Sequence, residues 1–208
     1  MSQFWNLIFG AIIILLLVSG FFDYIEWKFN IIAIIAAVLL WLVSIYNSLV
    51  AWRFRAREAW ADIDVQLKRR YDLIPNLVET VKGYAVHEKE AFENVTKARS
   101  QALSAQSIHD KEAADNMVTS ALKSIFAIAE AYPQLRAVES FVKLQEELAD
   151  TENKIQAARR FYNGNVMEYN TKIETVPANL VAKFFNFQKK EFFELESESE
   201  REPVKVKF

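Results

Sequence analysis

The sequence predicts an all-α protein: an N-terminal transmembrane helix or helical hairpin, then a long-helix antiparallel bundle of three to four helices. Three observations carry this. Two apolar stretches without any charge, Phe4–Phe22 and Ile31–Val50, open the chain. Glycine and proline number only 4 each in 208 residues, and so few breakers favour long helices over short strands. Beyond residue 52 the apolar side chains recur at intervals of three and four, the spacing of a one-sided helix.

As a helix, each apolar stretch rises about 1.5 Å per residue and reaches roughly 30 Å, the thickness of a bilayer's hydrocarbon core. The first holds 13 Leu, Ile, Phe or Val residues and the second 12. At about −0.3 to −0.6 kcal/mol each, either stretch favours insertion by several kcal/mol. Neither has the polar face that a core helix of a soluble protein shows. If both span, Asp23–Asn30 forms a tight outer hairpin. The only Lys or Arg before residue 52 is Lys28, whereas Arg53, Arg55, Arg57, Lys68, Arg69 and Arg70 follow the second stretch. Basic flanks stay on the cytoplasmic side, so residues 52–208 are expected in the cytoplasm. Trp5, Tyr24, Trp27, Tyr46 and Trp52 sit at the stretch ends, where amphipathic rings prefer the headgroup layer. The chain thus divides into an anchor (1–50), a helical bundle (51–193) and an extended tail (194–208).

The bundle elements follow in order. Trp60, Ile63, Leu67, Tyr71, Ile74, Val78, Val81 and Ala85 form the first apolar stripe. It predicts one long helix from the membrane through about Ala105, bent near Tyr71 because Pro75 lacks an amide proton and crowds the carbonyl four residues back. The small, polar run Ser104–Asp115 predicts the turn. A second helix carries Met117, Ala121, Leu122, Ile125, Ile128 and Ala129 and stops at Ala131-Tyr132-Pro133. A third carries Phe141, Leu144, Leu148, Ile155, Ala158, Tyr162, Val166, Tyr169 and Ile173, with Thr151 filling the coiled-coil-like heptad gap. Thr175-Val176-Pro177 then precedes a short fourth helix, Ala178 to about Phe187.

Charge and composition narrow the function. After residue 50 the chain has 24 Lys and Arg (25 less Lys28) against 25 Asp and Glu (27 less Asp23 and Glu26). That balance offers nucleic acid nothing to bind. His87 and His109 are the only histidines and belong to no Glu-x-x-His or His-Glu-x-x-His pair, so no metal is expected. Without cysteine there is no thiolate site, and without a glycine-rich loop no phosphate cradle. No cofactor and no catalysis are expected; a catalytic reading would have to rest on Asp62 or Asp64. Polar residues do cluster on two helices: Asp62, Asp64, Arg69, Arg70, Asp72 and Asn76 on one, Arg159, Arg160, Asn163 and Asn170 on the other. They describe either a solvated face with interhelical pairs or a polar groove for a partner. Phe184, Phe185, Phe187, Phe192 and Phe193, interleaved with Lys189 and Lys190, can lie in the headgroup interface or dock on the bundle or on a second copy.

Longer motifs add a resemblance. Tyr46-Asn47-Ser48-Leu49-Val50, the run from Ala59-Trp60-Ala61-Asp62 to Tyr71-Asp72-Leu73-Ile74-Pro75-Asn76-Leu77-Val78, Ala129-Glu130-Ala131-Tyr132-Pro133, Leu144-Gln145-Glu146-Glu147-Leu148, Glu152-Asn153-Lys154-Ile155, Arg159-Arg160-Phe161-Tyr162-Asn163, Tyr169-Asn170 and the closing Pro203-Val204-Lys205-Val206-Lys207-Phe208 resemble the LemA family of bacterial membrane proteins. The resemblance covers roughly residues 45–208. It implies an inner-membrane protein with a cytoplasmic helical bundle and brings no established reaction. Members usually carry one anchoring segment, so Phe4–Phe22 is an addition. The expectation is a non-enzymatic scaffold or adaptor in the lipid bilayer, homo-oligomeric or bound to another membrane protein. The alternative is an oligomeric channel, against which neither stretch holds an ionisable residue to mark an ion path.

Overall fold

The structure, a computed structural model, describes residues 10, 11, 14, 17, 18 and 27–193. Among these every regular element is a helix, with no strand. Gly10, Ala11, Ile14, Leu17 and Val18 are helical. The rest of the first apolar stretch, most of the expected hairpin and the expected extended tail 194–208 lie outside the described residues. The elements are α1 (Trp27–Lys82), α2 (Lys89–Ser104), α3 (Ile108–Ala131), α4 (Pro133–Arg136), α5 (Glu139–Glu174) and α6 (Ala178–Phe184).

Helix α1 is 56 residues long. It contains an 18-residue stretch of mean hydropathy 2.4 of which only 17% is buried, so it is long and apolar enough to cross a membrane. Ile32, Ile35, Leu39, Leu40 and Val43 are all more than half exposed. Such a continuous apolar surface is not one a water-exposed helix carries.

The helix runs on through Pro75 without interruption. Proline removes the donor that would pair with the Tyr71 carbonyl. Arg99 of α2 replaces it, its Nε donating to the Tyr71 oxygen at 2.8 Å. The same contact overturns the expectation of one helix through Ala105. A straight helix would put residue 99 about 40 Å from residue 71 at 1.5 Å per residue, so the chain must fold back. It does so between Lys82 and Lys89, where the Val81 carbonyl accepts from both Tyr84 and Ala85 at 3.0 Å. The reversal lets a second stripe, Phe92, Val95, Ala98 and Ala102, face the core in its own right.

The next turn is shorter than the polar run Ser104–Asp115 predicts. Ser107 caps α3 by accepting from the Asp110 amide at 3.0 Å, so the helix starts at Ile108 and carries Asp110 and Asp115 inside it. Helix α3 ends at Ala131 as expected. Pro133 opens only the four-residue turn α4, and α5 begins at Glu139. Helix α6 ends at Phe184, before the expected Phe187. There the Asn186 amide donates to the Lys183 carbonyl at 3.3 Å and the Phe187 amide to the Ala182 carbonyl at 2.8 Å. Asn186 adopts φ 54°, a left-handed conformation asparagine tolerates, and together these bonds make a Schellman stop.

The chain divides into two compact units, Met1–Arg57 with Asn165–Lys190, and Glu58–Gly164 with Glu191–Phe208. The first has a core of Ile45, Leu49, Tyr169, Ile173, Val181, Ala182 and Phe187, flanked by Trp41, Tyr46 and Trp52. The second buries Ile63, Leu67, Ile74, Leu77 and Val81 of α1 with Val95 of α2, Val118, Leu122 and Ile125 of α3, and Leu148, Ile155 and Tyr162 of α5. The α1 and α5 stripes match the apolar spacing. On α3, Leu122, Ile125 and Ala129 are buried as the spacing predicts, and only at its start does Val118 take the place of Met117, which is exposed.

Candidate functional site: a buried ionic layer and an asparagine clamp

In the second unit the heptad spacing of three helices admits buried charged residues, among them an arginine or aspartate on each. On α1 the buried series Ile63, Leu67, Ile74, Leu77 and Val81 has Arg70 at its missing position; on α5 Arg159 lies between Ile155 and Tyr162; on α3 Asp115 precedes Val118 and Leu122. All three are buried. Asp115 is the hub: one carboxylate oxygen accepts from Arg70 Nη1 at 3.2 Å and the other from Arg159 Nη2. Arg70 also donates to the Thr119 hydroxyl at 3.0 Å and lies 2.9 Å from the half-buried carboxylate of Glu152. The Arg159 guanidinium covers the Phe193 ring, 4.5 Å from its centroid. Tyr71 completes the layer. Burial, then the negative charge of Asp115 to which it hydrogen-bonds, pushes its hydroxyl pKa up, so it stays protonated as a donor.

Such an arrangement fixes helix register: a one-residue slip of any partner would strand a buried charge. The two terminal nitrogens of Arg70 face Asp115, Thr119 and Glu152, whereas its Nε and that of Arg159 are buried with no hydrogen-bond partner. Beside it opens a groove of about 430 Å³ lined by Arg70, Thr119, Leu122, Phe126, Leu148 and Glu152 among others. Among the described residues no group of three His, Asp or Glu side chains is placed to hold a metal ion.

A second arrangement uses the repeated Tyr-Asn pairs of α5, seven residues apart. In the second unit, Asn163 donates from Nδ2 to the Phe193 carbonyl and accepts from the Phe193 amide on Oδ1, both at 2.8 Å. Tyr162 donates to the Glu191 carbonyl at 2.9 Å. In the first unit, Asn170 makes the same two bonds to Lys190, each 2.9 Å, and Tyr169 donates to the Gln188 carbonyl at 2.9 Å. Each carboxamide gives its extended backbone segment what a neighbouring strand would give, one donor and one acceptor. Replacing Asn163 or Asn170 by Ala is expected to cost about 1–3 kcal/mol each, because a paired amide and carbonyl lose their partners together. Hydrogen exchange at the Phe193 or Lys190 amide should accelerate in the matching variant; unchanged protection would show that the clamp does not hold the segment.

The ten polar candidates differ in burial and in partners. Arg70 and Arg159 are buried in the ionic layer, and Asn163 and Asn170 clamp backbone. Asp64 pairs with Lys111, whose ammonium also lies over the Trp60 ring at 5.3 Å. Asp72 stands 3.9 Å from Arg99. Asp62, Arg69, Asn76 and Arg160 are exposed. The phenylalanines divide as well. Phe187 and Phe193 are buried, Phe187 under Arg53 at 5.0 Å and Phe193 beside Trp60 at 5.8 Å, whereas Phe184, Phe185 and Phe192 are exposed. Lys189 pairs with Glu174, and burial, then Arg57 and Arg53, lowers the pKa of Lys190. Spacing does not find Asp115, Thr119 or Arg99, because Asp115 falls in a run that reads as a turn and the others lack a distinctive neighbourhood.

The ionic layer and the clamp both lie in the stretch that comparisons with known proteins identify. A sequence model of the LemA family matches residues 59–208. The magnetosome protein MamQ 2 of Paramagnetospirillum magneticum is 24% identical over 186 residues, covering 77% of this chain and 68% of its own length. The magnetosome protein MamQ of Magnetospirillum gryphiswaldense is 23% identical over 185 residues, covering 76% and 68%. Protein LemA of Metamycoplasma hominis is 26% identical over 162 residues, covering 76% and 72%.

Proposed function

Because this chain belongs to the LemA family, we propose that it is a membrane-anchored, non-enzymatic scaffold whose helical bundle faces the cytoplasm and whose copies assemble with one another. The observation that carries this reading is the exposed apolar length of α1, which only a hydrocarbon environment accommodates. The basic flank Arg53, Arg55 and Arg57 supports a cytoplasmic bundle. The buried charges support a structural rather than a chemical role, since Asp115 pairs with both Arg70 and Arg159. A pore lined by α1 is less well supported: the span contains no ionisable residue, and its Ser44 hydroxyl donates to its own helix at the Trp41 carbonyl, 2.8 Å away.

Alkaline carbonate extraction, protease treatment of intact cells and gentle detergent solubilisation test the three parts. The full chain should stay in the membrane pellet, its bundle should resist external protease, and it should migrate as a multimer or with a stable partner. Release into the supernatant, digestion from outside, or a strict monomer without partner would each overturn the corresponding part.

A further inference from the structure

The first unit places a short helix at the depth of the membrane span. Val181 and Ala182 of α6, with Phe187 just beyond, share one core with Ile45 and Leu49 of α1. Ile45 and Leu49 belong to the apolar stretch Ile31–Val50, so α6 sits beside its last turns rather than below them. The side of α6 turned away from that core carries Leu180 and Phe184 beside Lys183, and Val176 lies just before the helix. Val176 is 73% exposed, Leu180 68% and Phe184 83%, and the last two are one helical turn apart. Phe184 packs edge-on with Phe185 at 5.0 Å, and Phe185 with Tyr46 at 4.7 Å, so aromatic surface continues from α6 onto the span.

Charge in the segments flanking this apolar edge is predominantly positive. Residues 51–57 and 165–190 contain seven Lys or Arg against two Glu. Two of the cations lie over the Trp52 ring, Arg55 at 4.6 Å and Lys172 at 5.5 Å, and a tryptophan capped by cations is a side-chain set that suits the headgroup layer. Burial, then the nearby Arg57 and Arg53, lowers the pKa of Lys190.

The geometry points to α6 as a membrane foot: Val176, Leu180 and Phe184 enter the acyl-chain boundary of the leaflet through which α1 leaves, while the surrounding Lys and Arg reach anionic headgroups. The occupant of this apolar face is thus the bilayer itself. Two features argue for it over a protein partner. The face is continuous with the lipid-facing surface of the span, and the excess positive charge complements anionic lipid. A short amphipathic element beside a single span also resists tilting and rotation of that span, because both must move together against the interface. This inference rests on α1 being membrane-embedded, and the test separates the two.

The natural chain has no cysteine, so single-cysteine variants of the full chain carry one label each. Phe184→Cys and Leu180→Cys, with Leu39→Cys in the span and Lys143→Cys on the bundle as references, are labelled with an environment-sensitive fluorophore. The proteins are reconstituted in vesicles of phosphatidylcholine and phosphatidylglycerol. Labels at Phe184 and Leu180 should be quenched by brominated acyl chains, like the Leu39 label, with loss of the iodide quenching seen at Lys143. Iodide quenching at Phe184 and Leu180, with Leu39 still lipid-quenched, would overturn the foot and leave the anchor standing. Shielding from both quenchers would overturn it in favour of a protein cover. A Leu39 label open to iodide would remove the anchor and the foot with it. All four positions are exposed, so the substitutions leave the cores intact, and helical content by circular dichroism confirms folding.

Discussion

Asp115→Ala is expected to destabilise the bundle by about 3–5 kcal/mol, the cost of breaking a buried ion pair by removing one partner. The substitution leaves Arg70 and Arg159 buried without the carboxylate that both contact. Glu152 offsets only part of the loss, since it touches Arg70 and is about one-third exposed. Tyr71 also loses its acceptor. Two further variants show which effect dominates. Asp115→Asn keeps the shape and some hydrogen bonding but removes the charge, so it should fall between wild type and Asp115→Ala. A triple replacement, Arg70→Met, Asp115→Leu and Arg159→Met, should recover most of the stability, because an apolar layer of similar volume avoids the desolvation cost of three charges. Thermal unfolding of the detergent-solubilised chain measures all three. If Asp115→Ala melts with wild type, the layer is not the register lock that its burial implies. If the triple variant stays as unstable as Asp115→Ala, the ionic contacts themselves supply net stability.

Tyr162→Ala should cost a comparable amount, on the order of 3–5 kcal/mol, the range for truncating a large buried aromatic ring. The ring is almost fully buried, meets Trp60 edge-on at 5.3 Å, and holds Glu191 through its hydroxyl. Tyr162→Phe separates these contributions: it keeps the ring and should lose about 0.5–1.5 kcal/mol for the hydrogen bond alone. The hydroxyl also makes a pH prediction. Burial, then the charges of Glu191 and Glu112, pushes its pKa from 10.0 up to about 12. Between those values the folded chain keeps a proton that the unfolded chain releases, so stability is complete below pH 10 and falls as pH rises toward 12. Tyr71 shifts in the same direction and adds to the fall. In Tyr162→Phe the alkaline decline should be shallower; a decline as steep as wild type would mean that Tyr162 is not the titrating group.

Much of the fold is legible in residue order. The apolar length of α1 is legible because length and hydropathy are both local properties. The α1 and α5 stripes are legible because helical periodicity survives whatever the helix packs against. The stop at Ala131-Tyr132-Pro133 is legible because proline acts on its immediate neighbours. The reversal at Gly83–Glu88 is not, since nothing local forbids continuing the helix. It shows only in the pairing of Arg99 with the Tyr71 carbonyl that Pro75 leaves open. The start of α3 is obscured in the same way, because Ser107 turns an apparent loop into a capped helix.

The candidate site is legible only in fragments. Arg70 and Arg159 stand out as polar residues on two helices, but polarity alone assigns them equally to solvent. The heptad positions separate them from Arg69 and Arg160, which are one residue away and exposed. The Tyr-Asn repeat of α5 is visible as a motif, yet its partners lie 19 to 30 residues further along the chain in backbone with no sequence signature.

Residue order alone thus determined that this is a helical protein with a membrane-competent anchor, a charge-balanced bundle and LemA family motifs, since each depends on composition or short-range spacing. Tertiary structure alone decided which arginines are buried, that Asp115 joins them, that two asparagines clamp the C-terminal segment, and which phenylalanines stay outside. The physical reason is that burying a charge or a carboxamide is favourable only when a partner from a distant segment meets it, and no local pattern records that meeting.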